Sequence, residues 1–218
     1  MTMTKPWLIA LFVLAPVLVL AWPSASSAQQ PKLDIKVFFG GSVTNYVSLL
    51  ETGREQEIFG GWQVGFGARV RRRKAFVEIL FSFNRWAVAL QDADDDGNVL
   101  SLEAQVNSFE LPLIMGYIPY KNPLFKLFLY AGYVNHFNTK IIATLGSNEA
   151  LGIPETTLRL RPKDVDFAIY QAIGRVGVNF DVAMFNFDFN YSISLNSATK
   201  TSYRTSYQQL QVNLSYLF

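Results

Sequence analysis

The chain has 218 residues, half of them apolar and 15% aromatic, with 17% charged and a mean hydropathy of +0.16. This is too apolar for a disordered chain, and 19 Lys and Arg against 17 Asp and Glu are too evenly balanced to steer it to nucleic acid. The absence of cysteine excludes a disulfide scaffold, a thiol enzyme and a cysteine-ligated zinc site.

The first element is an apolar run from Trp7 to Trp22, preceded by Lys5, interrupted by Pro16 and followed by the small residues Ser24 to Ala28. It reads as a secretory signal peptide over residues 1–28, with cleavage after Ala28 and a second region over 29–218. An anchor helix needs roughly 20 apolar residues without a break, and this run is shorter and contains proline.

Downstream, apolar side chains recur with period two, the signature of a strand with one greasy and one wet face. The segments in order are Leu33 to Gly41, Trp62 to Val70, Ala75 to Trp86, Val106 to Tyr117, Phe125 to Phe137, Phe167 to Phe180, Phe185 to Leu195, and Leu210 to Phe218. The clearest is the seventh, where Phe185, Phe187, Phe189, Tyr191, Ile193 and Leu195 alternate with Asn186, Asp188, Asn190, Ser192 and Ser194. Eight such strands of about ten residues suit a tilted crossing of an outer membrane better than a soluble sandwich, whose strands average about five or six.

The connections alternate long and short. Ser42 to Gly60, Ala87 to Gln105, Thr139 to Val165 and Asn196 to Ser206 are long, whereas Arg72 to Lys74, Pro119 to Pro123 and Asp181 to Ala183 are tight. Trp62, Trp86 and Tyr46 fall at the loop ends, and Tyr117, Tyr120, Phe180, Phe185, Tyr216 and Phe218 at the turn ends, as two aromatic girdles. The expectation is an all-β fold: an eight-stranded antiparallel up-and-down transmembrane β-barrel in the outer membrane of a Gram-negative bacterium. Long loops are expected outside and both termini in the periplasm, with outer-membrane lipid and the barrel-insertion machinery as partners and no nucleic acid.

The stretch Asn107-Ser108-Phe109-Glu110-Leu111-Pro112-Leu113-Ile114-Met115-Gly116-Tyr117, then a short turn and Leu127-Phe128-Leu129-Tyr130-Ala131-Gly132-Tyr133, resembles the central signature of the PorT-like outer-membrane β-barrel family of Bacteroidota. The resemblance extends weakly over about residues 33 to 218. It implies the barrel fold and the compartment, and no activity.

The alternation aims Asp34, Lys36, Arg69, Arg71, Glu78, Glu110, Arg175 and Asp188 into the lumen, with Lys126 beside them. Charges confined in so narrow an interior must pair, which predicts a salt-bridged plug rather than an open path. Pro112 breaks a rule for central strands, and a local bulge there would aim Glu110 inward.

Asp92-Ala93-Asp94-Asp95-Asp96-Gly97-Asn98-Val99-Leu100-Ser101-Leu102-Glu103 matches the twelve-residue calcium loop letter for letter. Asp92, Asp94, Asp96, the Asn98 carbonyl and Glu103 would form an oxygen cage for Ca²⁺, but that loop needs flanking helices, and flanks that read as strands suit an acidic, solvated hairpin tip. No other cofactor is expected. His136 lacks a recognisable nucleophile, so catalysis is not expected. The Arg71 to Lys74 run reads as a turn at anionic headgroups. Function is expected to be that of a structural or interaction protein of the cell envelope, accessory to secretion or surface assembly. The alternatives are a narrow channel for small solutes or ions and, more distantly, a lipid-modifying enzyme.

Overall fold

The structure, a computed structural model, describes residues 30–48, 56–57, 59–93, 99–145, 156–165, 167–197 and 205–218. The signal peptide expected at 1–28 lies outside them. The strands are β1 (Lys32–Ser48), β2 (Gln56–Glu57), β3 (Phe59–Arg72), β4 (Ala75–Ala93), β5 (Val99–Lys121), β6 (Phe125–Leu145), β7 (Thr156–Leu160), β8 (Tyr170–Val182), β9 (Phe185–Ser194) and β10 (Thr205–Leu217). A single 3-10 turn, Pro162–Val165, joins β7 to β8 among the described residues.

Eight of these strands pair in the order β1, β3, β4, β5, β6, β8, β9, β10, and β10 pairs back onto β1. Every pairing is antiparallel, so the sheet closes as the eight-stranded up-and-down barrel that the period-two pattern predicts. Closure leaves no strand edge around the wall, which is what lets a sheet sit in a medium without water.

Stagger sets the geometry of the interior. From Ser82 the rungs run through Glu110 and His136 to Gln171 on β8. Followed the other way, through Gly65, Phe38, Ser215 and Asn186, they return to β8 at Asp181, ten residues beyond Gln171. Such a stagger tilts the strands and fixes the width of an eight-stranded barrel at about what side chains can fill.

Two strands lie where the sequence predicts long connections. β2 pairs with β4 at Gln56↔Leu90, and β7 pairs with β6 from Ile141↔Leu160 to Leu145↔Thr156, above the point where β8 begins its own pairing at Phe137↔Tyr170. β4, β5 and β6 reach 19, 23 and 21 residues, well past the roughly ten of a membrane crossing. The segments 87–105 and 139–165 are therefore partly sheet that projects from one end of the barrel.

The expected bulge at Pro112 is absent. Ile79 pairs with Leu113 and Ser82 with Glu110, so the β4 ladder skips the rungs at Leu111 and Pro112 without changing register. Proline removes one donor and needs no extra residue, and on its other side Pro112 keeps its place opposite Val134. The register shifts instead between Asn107 and Ser108, where β6 carries Thr139 as the extra residue.

The two faces of the wall divide by parity. Leu33, Ile35, Val37 and Phe39 on β1, and Phe185, Phe187, Phe189 and Tyr191 on β9, point outward and are exposed. Phe66, Phe81, Phe109, Phe83 and Trp62 form a chain of ring contacts across the outside of β3, β4 and β5. Trp86 departs from the expected girdle: it shares parity with Glu78 and is buried inside with Val106, Val134, Ile141 and Ile173.

Candidate functional site

The lumen gathers most of the polar chemistry among the described residues. Asp34, Lys36, Arg69, Arg71, Glu78, Glu110, Arg175 and Asp188 are all buried inside it, and Lys126 is half-buried at its turn end. Sequence reasoning missed Asp181, which it had assigned to a turn. β8 runs to Val182, so the parity of Arg175 carries Asp181 inward as well.

At the turn end, Arg71 Nη2 donates to Asp34 Oδ1 at 2.6 Å, and its Nε makes an ion-pair contact with Oδ2. One level further in, Arg69 donates from Nε to Glu78 Oε2 at 2.6 Å and from Nη1 to both oxygens of Asp181 at 3.0 and 3.2 Å. Lys36 caps the other Glu78 oxygen, and Lys126 Nζ lies 3.9 Å from Asp181. The Arg69 guanidinium lies over Phe128 at 4.4 Å from the ring centre and 5.5 Å from that of Phe76. Those rings belong to an apolar cluster with Phe38, Leu80, Ile114, Ile118 and Tyr130 that fills the space around the ions. A planar guanidinium satisfies carboxylates edgewise and rings facewise, so one side chain both pairs and plugs.

The middle of the lumen differs from expectation in one respect. Asp188 is met by neutral donors: Tyr130 Oη at 2.6 Å, Asn190 Nδ2 at 2.9 Å and Asn213 Nδ2 at 3.1 Å. Tyr130 reaches it by crossing β8 at Gly177.

A second charged group lies nearer the projecting end. Glu110 accepts from Arg175 Nη2 at 2.7 Å and from His136 Nδ1 at 3.0 Å, while Arg175 Nε donates to Ser192 Oγ at 2.8 Å. His136 Nε2 is 2.9 Å from Asn138 Oδ1, and Asn138 Nδ2 donates to the Ala168 carbonyl at 2.8 Å. His136 is thus a buried lumen residue held on both nitrogens. Its even parity with Tyr130 and Phe128 was the available signal.

Around this group, Ser82, Asn84, Ser108 and Gln171 are buried, and their side-chain polar atoms have no hydrogen-bond partner among the described residues. Groups of this kind are normally satisfied by water.

Of the expected calcium ligands, Asp94, Asp96 and Asn98 lie outside the described residues. The backbones of Asp92 and Glu103 belong to β4 and β5, where Asp92 faces Leu100 and Glu103 faces Ala89. Among the described residues no group of three or more His, Asp or Glu side chains is placed to hold a metal.

No family model matches the chain, and no curated protein does. Solved structures do. The Yersinia pestis attachment invasion locus protein Ail, in complex with the heparin analogue sucrose octasulfate, is 11% identical over 86% of this chain and 99% of its own, with a TM-score of 0.47. Neisserial surface protein A is 11% identical over 87% and 100%, with a TM-score of 0.44. The N-terminal barrel domain of Pseudomonas aeruginosa OprF is 11% identical over 86% and 100%, with a TM-score of 0.37.

The closed ladder and the distribution of side chains carry the assignment of this chain. An apolar belt running right round the wall far exceeds the few hundred Å² that soluble monomers expose. Tyr117, Tyr120, Phe185, Tyr216 and Phe218 lie exposed along its turn-side margin. The chain is a transmembrane β-barrel with a packed polar interior.

Proposed function

We propose that this protein is a small outer-membrane barrel whose lumen is closed by its own side chains and which serves the cell envelope as a structural or interaction protein. The carrying observation is the contact of Arg69 on β3 with Asp181 on β8, strands that stand opposite each other in the ring of eight. A pair spanning the full width, backed by Phe76 and Phe128, leaves no through-path at that level. Paired strands projecting beyond the barrel at β4, β5, β6 and β7 supply a surface on which an envelope partner would act. The finer reading, an accessory to secretion or surface assembly, rests on these projecting strands alone.

Planar-bilayer recording from the purified barrel tests this reading. The expected result is no sustained conductance, with the protein folded as judged by heat-modifiable gel mobility. Steady conductance that vanishes when the interior charges are exchanged would establish the second reading, a narrow channel for small solutes or ions. That reading is favoured by the unpartnered polar atoms of Ser82, Asn84, Ser108 and Gln171. A lipid-modifying enzyme is the least supported reading, since His136 has Glu110 and Asn138 on its two ring nitrogens inside the lumen.

A further inference from the structure

The turn end of the barrel carries a charge asymmetry that the lumen network does not use. Lys32, Arg72, Arg73, Lys74 and Lys121 stand at this rim. Among the described residues the side-chain carboxylates at the same end are Asp34, Glu78 and Asp181, and all are buried in the lumen against Arg71, Arg69, Lys36 and Lys126. The acids have turned inward, while Arg73 and Lys74 are exposed at the margin. On the far arc the rim is apolar, with Met184 and Phe185 exposed at the β8–β9 turn.

The β3–β4 turn concentrates the effect. Arg71 does not belong to it, because its guanidinium is buried against Asp34. Arg72 has the parity of the outer wall, opposite to that of Arg71, while Arg73 and Lys74 form the exposed tip. Lys74 Nζ lies 5.8 Å from the centre of the Tyr117 ring, on the outside of β5, and the Lys74 carbonyl accepts from Ile118 N at 2.7 Å. This places two turn cations on the outer wall, at the depth where exposed tyrosines mark the edge of the apolar belt. A soluble acidic partner would meet cations at the mouth; cations beside an outward-facing tyrosine meet headgroups.

We propose that Arg72, Arg73 and Lys74, with Tyr117 beside them, form a binding site for the phosphate of an anionic phospholipid in the leaflet at the turn end of the barrel. The proposal rests on the reading of the chain as a membrane barrel. Arginine supplies paired donors matched to two phosphate oxygens, and lysine a mobile point charge that the tyrosine ring helps to locate. A headgroup so held would fix the height of the barrel in the bilayer on one side only, because among the described residues the Met184 and Phe185 arc offers no cation.

The test reconstitutes the protein into nanodiscs holding equal phosphatidylglycerol and phosphatidylcholine, then counts retained lipids by native mass spectrometry. Wild type should keep phosphatidylglycerol preferentially. Each cation near the surface is worth roughly fivefold in affinity, so the Arg72→Gln, Arg73→Gln, Lys74→Gln triple variant should lose preference by about tenfold or more. Tyr117→Leu should lower it less, and Lys121→Gln, on the next turn, should leave most of it. Equal retention of the two lipids by wild type, or an unchanged preference in the triple variant, overturns the proposal. So does displacement of the lipid by inorganic phosphate or an acidic peptide, which would make the ligand soluble. If the membrane reading itself were wrong, wild type would fail to enter discs of phosphatidylcholine alone, an outcome separate from lipid preference.

Discussion

Arg69 Nη1 reaches Asp181 at 3.0 Å across the whole width of the barrel, while its Nε holds Glu78 on the adjacent strand at 2.6 Å. One guanidinium therefore ties opposite walls together. Arg69→Ala would strip a cation from two buried carboxylates, leaving Glu78 to Lys36 and Asp181 to Lys126 at 3.9 Å. Breaking a buried pair on one side costs about 3–5 kcal/mol, which urea unfolding in detergent should register. Arg69→Met with Asp181→Asn should recover much of that loss, because no unpaired ion then remains at this pair. The gain from Arg69→Met alone to the double variant isolates the charge effect, because methionine packs against Phe128 in both.

Glu110 and Asp188 are both buried acids, yet their neutral analogues should behave differently. Each Glu110 oxygen faces a positive or N–H donor, Arg175 on one and His136 on the other. In Glu110→Gln one of those donors would meet an amide N–H, and the Arg175 guanidinium would lose its carboxylate, at a cost of about 3–5 kcal/mol. Asp188 has the two amide donors on Oδ2 and the Tyr130 hydroxyl on Oδ1. In Asp188→Asn the carbonyl can take the amides, while the hydroxyl rotates to accept from the new NH₂, at a cost of about 1 kcal/mol. Equal destabilisation of the two variants would show that Asp188 is paired electrostatically rather than by these neutral donors.

Parity was what the sequence made legible, and the failures occurred where a strand was ended too early or a residue type suggested an interface. Arg175 was placed inward, and its parity continues through Asn179, inside the predicted segment, to Asp181, one residue past the segment's end at Phe180. Trp86 was assigned to a girdle on its chemistry, although its parity with Glu78 put it inside. What no parity argument reaches is the identity of partners across the lumen. Arg69 meets Asp181 only because the ring closes with a ten-residue stagger between Gln171 and Asp181, a property of all eight pairings together. The extension of β4, β5 and β6 was hidden for a related reason: once strands pair beyond the membrane, neither face needs to stay apolar, and alternation fades.

Two tight turns use a non-glycine residue where glycine is favoured. Arg73 has φ 55° and Ala183 has φ 53°, each the first of two residues between paired strand ends, as in a type II′ hairpin. The left-handed region costs an L-residue about 1–2 kcal/mol, less what glycine loses through its freer unfolded chain. Ala183→Gly should thus raise stability by a few tenths to about 1 kcal/mol, and Ala183→Val should lower it, since a β-branched residue fits that region poorly. Refolding from urea into detergent micelles measures both. A destabilised Ala183→Gly would mean that the methyl group, not the backbone, sets the energy of the turn.

Tyr130 and Gly177 are coupled by contact. A Cβ added at Gly177 would sit on the Tyr130 hydroxyl, with Cζ at 2.5 Å and the Phe189 carbonyl oxygen at 2.7 Å. The tyrosine cannot yield freely, because its hydroxyl is held by Asp188 at 2.6 Å. Gly177→Ala should cost about 1–3 kcal/mol, the usual range for overpacking. Part of that cost belongs to the backbone contact with Phe189 and part to the ring. A double-mutant cycle divides them: Tyr130→Leu removes the ring's far end and leaves the Phe189 contact in place. Gly177→Ala should then cost less in the Tyr130→Leu background than in wild type, with a coupling of at least about 0.5 kcal/mol. Additive effects would place the whole penalty on the β8–β9 backbone, and glycine would be there for the sheet rather than for the crossing of Tyr130.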